Sequence, residues 1–147
     1  MLKRIVCTIG NCIATKTGNR SAAFRQAWSI ARARQVAKVV GVTVGSRQEP
    51  LRRLALYSRQ QVRVALVREA GNPADQNAVA VIVKVAGSRG YRIGYLARET
   101  ATILARALDK LGGMVAATVE EITGGTAGLS AGLKISYKME GGVTMTA

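Results

Sequence analysis

The stretch from Gly71 to Leu96, GNPADQNAVAVIVKVAGSRGYRIGYL, changes character three times. It opens on turn-forming and polar residues, Asn72, Pro73, Asp75 and Asn77, and runs from Asn77 to Val85 almost without a polar residue. An apolar run of that length reads as a strand buried on both faces. AGSRG at 86–90 reads as a hairpin turn by its glycines, and Tyr91–Leu96 as the short partner strand. A hairpin at this point argues against a doubly wound parallel sheet, because parallel neighbours need a long crossover between them.

Working upstream, QVRVALVR at 61–68 alternates and predicts a strand with one mostly buried face. VAKVVGVTV at 36–44 is rich in β-branched residues and predicts the first strand, ending at Gly45-Ser46. Pro50 suits the first turn of a short helix that buries Leu51, Leu54 and Ala55. Thr15–Ser21 is a polar turn, with Ser21 as N-cap of a basic amphipathic helix over Ala22–Ala37. Phe24, Ala27, Trp28 and Ala31 share one face of that helix, and the Phe24–Trp28 pair reads as a packing anchor rather than a stacking platform for bases.

Downstream, Arg98–Leu111 predicts a helix that buries Ile103, Leu104, Ala107, Leu108 and Leu111 and stops at Gly112-Gly113. Two further strands follow, Met114–Ile122 and Leu133–Met139, separated by the loop TGGTAGLSAG; the last residues, EGGVTMTA, are expected to fray. The expected fold is mainly β with α: a small six-stranded β-barrel, like the oligonucleotide-binding (OB) barrels, with two short helices and a basic helix ahead of it. The competing architecture is a ferredoxin-like α+β sandwich. Expected boundaries are a basic arm over 1–38, the barrel over 39–140 and a tail over 141–147.

The 147 residues suffice for one domain with a real core, and 48% of them are hydrophobic. The 22 Lys and Arg against 8 Asp and Glu give a formal charge of +14, which points to a polyanionic partner. Residues 1–40 hold Lys3, Arg4, Lys16, Arg20, Arg25, Arg32, Arg34 and Lys38 and no acid, since the first carboxylate is Glu49. A one-sign block of this length favours nucleic-acid contact over a merely solvated helix face.

Catalysis has little to work with. With no histidine the commonest general base is missing, and the Ser and Cys nucleophiles have no imidazole to activate them. The carboxylates are scattered, and the TGGTAG loop lacks the lysine of a phosphate-binding P-loop. Cys7 and Cys12 alone do not make a zinc site and read as small apolar residues in a reducing cytoplasm. No apolar run reaches membrane-spanning length, and Thr8 and Asn11 interrupt the N-terminal stretch, arguing against a signal peptide. The expectation is a cytoplasmic, non-enzymatic protein without cofactor or metal.

NPADQNAVAV at 72–81, followed by IGYLAR at 93–98 leading into an Ala- and Leu-rich helix, resembles the HIRAN domain. The likeness runs from VVGV, starting at Val39, to about Met139 and leaves the basic arm outside. It implies a small barrel of the OB type, found both fused to Swi2/Snf2-type fork-remodelling helicases and as stand-alone bacterial and phage proteins. It also implies capture of the 3′-hydroxyl end of single-stranded DNA, as in helicase-associated members. Asn72, Pro73, Asp75, Asn77 and Ala78 match the motif. By that resemblance Asp75 accepts a hydrogen bond from the terminal ribose hydroxyl and Arg98 holds a backbone phosphate. Ala74 stands where DNA-capturing members carry an aromatic ring, and Val42-Thr43-Val44-Gly45 stands where they carry an Arg-Tyr pair.

Read without the resemblance, Asn72, Asp75 and Asn77 suit Asx-turns, a purely structural role, and Arg98 suits either a local ion pair or a phosphate. The expected nucleic-acid-binding set is Asp75, Arg98, Asn72, Asn77, Tyr95, Arg47, Arg25 and Arg32, with Tyr57 as a further stacking surface. Single-stranded DNA is the favoured partner, in repair, replication or phage DNA processing. The alternatives are a protein-interaction module docking on a DNA-processing ATPase and an RNA-binding accessory protein.

Overall fold

A computed structural model of the chain describes residues 2–125 and 129–139. The chain opens not with a coil but with a helix, α1 (Leu2–Thr17), which the sequence reading did not assign. Ile5, Ile9 and Ile13 recur every fourth residue and are buried together with Val6. β-branched residues and an internal glycine make this a poor helix by propensity, so burial of the stripe decides its conformation. Gly10 gives the second helix room, since a Cβ there would lie 3.1 Å from the Phe24 ring.

The turn between the first two helices shrinks to Gly18, at φ +72°, and Asn19. Asn19, not Ser21, is the N-cap of α2 (Arg20–Arg32), its Oδ1 accepting the Ala22 N–H at 3.0 Å. This helix ends at Arg32 rather than Ala37, because the following residues enter the first strand, β1 (Gln35–Val40). Phe24 and Trp28 pack partly buried against the core, with the Arg20 and Arg32 guanidinium groups over their rings at 6.0 and 4.5 Å. Cys7 is exposed rather than packed as a small hydrophobe, while the half-buried Cys12 thiol donates to the Thr102 carbonyl at 3.5 Å.

β1 stops at Val40, short of Val44, where Gly41 at φ +74° turns the chain aside. The order from there is α3 (Gln48–Leu54), β2 (Val62–Arg68), β3 (Val79–Val85), β4 (Tyr91–Leu96), α4 (Arg98–Lys110), β5 (Met114–Gly124) and β6 (Ala131–Tyr137). The described residues therefore hold four helices, two of them ahead of the barrel. Residues 126–128 of the β5–β6 loop and the expected frayed end, 140–147, lie outside the described residues.

The six strands close into an antiparallel barrel in the order β1-β4-β3-β2-β5-β6, which excludes the ferredoxin-like sandwich. Val64, Leu66, Val81, Val83, Ile93, Leu133 and Ile135 fill its interior, each fully buried side chain stabilising the fold by about 1.5–3 kcal/mol. Leu51 of α3 and Leu104 and Leu108 of α4 join the same core. Arg68 on β2 and Asp109 on α4 pair at 3.2 Å between Nε and Oδ1, tying the helix to the sheet.

One irregularity sets the exit of β4. Val81 faces Gly94 and Ile82 faces Arg92, so Ile93 is the extra residue of a β-bulge and turns inward to full burial. Gly94 is where β1 crosses closest: a Cβ there would lie 2.4 Å from the Val40 carbonyl oxygen and 2.7 Å from Val39 Cγ1. The barrel closes over that glycine, and Tyr95, opposite Ala80 and Val40, is left on the outer surface.

Candidate nucleic-acid interface

The loop between β2 and β3 is built by side chains bonding their own backbone. Asn72 Oδ1 accepts the N–H groups of Ala74 and Asp75 at 2.9 and 3.3 Å, and Asp75 Oδ1 accepts that of Asn77 at 2.9 Å. The Asn77 side chain itself makes no hydrogen bond among the described residues, so its part in the turn is played by its backbone. Pro73 and Ala74 are left exposed at the apex.

Glu69, at the end of β2, fastens this loop to β4. Its Oε2 accepts the Asn72 Nδ2 at 2.6 Å and the Tyr95 hydroxyl at 2.8 Å, while its Oε1 accepts Arg92 at 2.8 Å. These contacts, the Asn72 hydrogen bond foremost, hold the Glu69 carboxyl below its ordinary value. Burial, reinforced by the hydrogen bond to Glu69, pushes the Tyr95 hydroxyl up, so it stays protonated and donates.

The Tyr95 ring has a guanidinium near it from two directions, Arg92 at 5.5 Å and Arg47 at 5.6 Å from its centroid. Arg47 is held by a hydrogen bond from Nη1 to the Gly41 carbonyl at 2.8 Å. Arg47 and Arg92, together with Ser46, Tyr91 and Glu69, line a cleft of about 520 Å³. Tyr91 closes one side, its hydroxyl 3.2 Å from that of Ser46.

Asp75 and Arg98 face each other beside this cluster. Their closest atoms, Oδ2 and Nε, are 3.8 Å apart, a charge contact too long for a hydrogen bond; the Arg98 side chain is 73% exposed and that of Asp75 22%. Arg98 also reaches the Ala74 carbonyl at 3.4 Å. The structure thus gathers Asn72, Asp75, Arg98, Tyr95 and Arg47 on one side of the barrel, around the β2–β3 loop. Arg25 and Arg32 are not part of it: they project from α2, which packs on α1, and Tyr57 sits past the end of α3.

Sequence reasoning missed Glu69, Arg92 and Tyr91. The available signal was an acid directly preceding the polar turn and an arginine an odd number of positions before Tyr95; the bulge at Ile93 brings Arg92 onto the same face as the ring. Among the described residues most carboxylates are neutralised: six ion pairs occupy Glu49, Glu69, Asp75, Asp109, Glu120 and Glu121. The surplus arginines and lysines set the character of the surface. Among the described residues there is no group of three or more metal-ligating side chains, and no helix is long and apolar enough to cross a membrane.

A closed six-stranded antiparallel barrel with an arginine-flanked tyrosine on its outer surface, beside a cleft that the same arginines line, defines a small β-barrel binding module. The HIRAN domain profile matches residues 34–140, and the chain belongs to that family. Among solved structures, the HIRAN domain of human HLTF is similar at 23% identity, over 71% of this chain and 74% of that chain, with a TM-score of 0.45. No curated protein matches. HIRAN membership supports a nucleic-acid-binding module, with the matched segment binding rather than catalysing. The profile begins at Arg34, so α1 and α2 lie outside it.

Proposed function

We propose that this protein is a non-enzymatic module that binds single-stranded DNA and receives the 3′-hydroxyl end of the strand beside the β2–β3 loop. The observation that carries the reading is the division of labour within Asp75. One carboxylate oxygen is taken by the Asn77 N–H at 2.9 Å, while the other stands 3.8 Å from Arg98 with no hydrogen bond. That second oxygen is free to accept from a terminal hydroxyl, and the exposed Arg98 beside it is placed for the adjoining phosphate. Arg47 and Tyr91 supply a cation and a ring in the neighbouring cleft, although Ala74 leaves the motif's aromatic position empty. Helix α2 adds phosphate contacts from Arg25 and Arg32. DNA repair, replication or phage DNA processing is the setting proposed, with the cytoplasm as location.

Titration of a labelled oligodeoxynucleotide, carrying either a 3′-hydroxyl or a 3′-phosphate, tests the reading. Tighter binding of the hydroxyl form, abolished in Asp75→Ala, is the expected result. Equal binding of the two ends overturns end capture, and no binding at low salt overturns single-strand recognition altogether. Competition with a matched RNA strand separates the DNA from the RNA reading through the 2′-hydroxyl. Docking on a DNA-processing ATPase is the rival reading; an exposed Phe24–Trp28 face would have favoured it, and both rings are partly buried against the core.

A further inference from the structure

The Arg47–Arg92 cleft lies on one side of the β3–β4 hairpin; the other side carries a second groove. It holds about 490 Å³ between α3 and the hairpin. Leu54, Val85 and Ile93 contribute to its lining, Tyr57 stands on the helix side, and Arg53 and Arg89 stand along it. Tyr91 lines this groove and the Arg47–Arg92 cleft alike, so the two depressions share a tyrosine wall. Tyr57 and Tyr91 are 45% and 38% exposed, high values for rings that serve no hydrophobic core. None of the residues lining the groove is acidic. Arg89 makes no ion pair among the described residues, and the Arg53–Glu49 pair is solvent-exposed on both sides.

We propose that this groove is a second subsite for single-stranded nucleic acid, in which the strand passes Tyr91 from the cleft and stacks bases on Tyr91 and Tyr57, its phosphates following Arg89 and Arg53. The proposal rests on the single-strand reading above. Exposed rings combined with cations and an apolar floor suit a strand whose bases stack and whose backbone is anionic. A peptide of acidic and apolar residues is the rival occupant.

The test compares oligothymidylates with free 3′-hydroxyls, one of roughly three nucleotides and one of roughly ten, within the site sizes typical of such barrels. They are titrated against the wild type, Tyr57→Ala, Tyr91→Ala and the two Phe variants. Tyr57→Ala is expected to weaken binding of the long strand roughly 5- to 140-fold with trimer binding unchanged, Tyr91→Ala to weaken binding of both strands because its ring also lines the cleft, and each Phe variant to stay close to wild type. Photo-cross-linking of a long strand carrying iodouracil away from its 3′ end is expected to label the peptides containing Tyr57 or Tyr91; this readout needs no substitution. Wild-type affinity of Tyr57→Ala for the long strand, or cross-links confined to other peptides, overturns the proposal. Indifference to a 3′-phosphate with the tyrosine effects intact overturns end capture alone and supports the groove.

Discussion

Gly94→Ala tests the account of barrel closure. The added Cβ would sit 2.4 Å from the Val40 carbonyl oxygen, about 1 Å inside the roughly 3.3 Å at which carbon and carbonyl oxygen ordinarily meet. The obstructing atom is backbone, so no side-chain rotation relieves the clash and β1 has to move. β1 and β4 are in register only at Val39↔Leu96 and Val40↔Tyr95, and a shift of about 1 Å exceeds the tolerance of ladder hydrogen bonds. Losing about two such bonds at 0.5–1.5 kcal/mol each, on top of about 1–3 kcal/mol for overpacking, predicts a destabilisation of about 2–6 kcal/mol. Urea unfolding followed by circular dichroism measures it. Gly71→Ala is the control, since nothing lies within 4 Å of a Cβ there, and it should stay within about 0.5 kcal/mol of wild type. Equal stability of the two variants would refute the claim that Gly94 is the closure point.

The remaining predictions concern charge and the cleft. Glu69→Gln should destabilise the protein at pH 7. Because the Glu69 carboxyl titrates below its ordinary value of 4.5, its contribution is complete above that pH and disappears as the pH falls through the lowered value. Urea midpoints for wild type and Glu69→Gln should therefore differ at pH 7 and converge at the acid end. Asn72→Ala removes the acceptor for two backbone N–H groups and the donor to Glu69, and should cost about 1–3 kcal/mol while loosening the β2–β3 loop, read by amide hydrogen exchange at Ala74 and Asp75. If α2 meets phosphates, replacing Arg25 and Arg32 by Gln should flatten the slope of log K against log salt by roughly 0.7 for each phosphate of a single strand that is no longer neutralised. Fluorescence anisotropy at several salt concentrations measures that slope, and an unchanged slope would remove α2 from the interface.

The sequence made the barrel largely legible because its strands carry local signals. The hairpin at 86–90 and Tyr91–Leu96 emerged with their expected bounds, since the glycines of the turn mark where the strand starts. Helix α1 escaped notice because Ile5, Val6, Ile9 and Ile13 favour strands locally, and only packing on α2 and α4 makes them helical. The cap moved from Ser21 to Asn19 for a related reason: α2 begins as soon as Gly18 has reversed the chain. In the site, Asn72 and Asp75 were legible as turn residues, and both do bond their own loop. Glu69 and Arg92 were not, because they come from different strands and meet only through the register of β2, β3 and β4.

The attachment of α1 and α2 has a consequence for how such a protein can diversify. The helical hairpin carries much of the surplus positive charge, lies outside the segment that the HIRAN profile matches, and meets the rest of the fold chiefly at α4. The β2–β3 loop and its cleft are built entirely from the barrel. On the proposed 3′-end reading, strength of attraction to a polyanion and chemical choice of its end thus reside in separate parts. Substitutions on α2 can retune affinity to suit a cell's ionic conditions without redrawing the recognition chemistry, and the same barrel can be set behind a different charged partner.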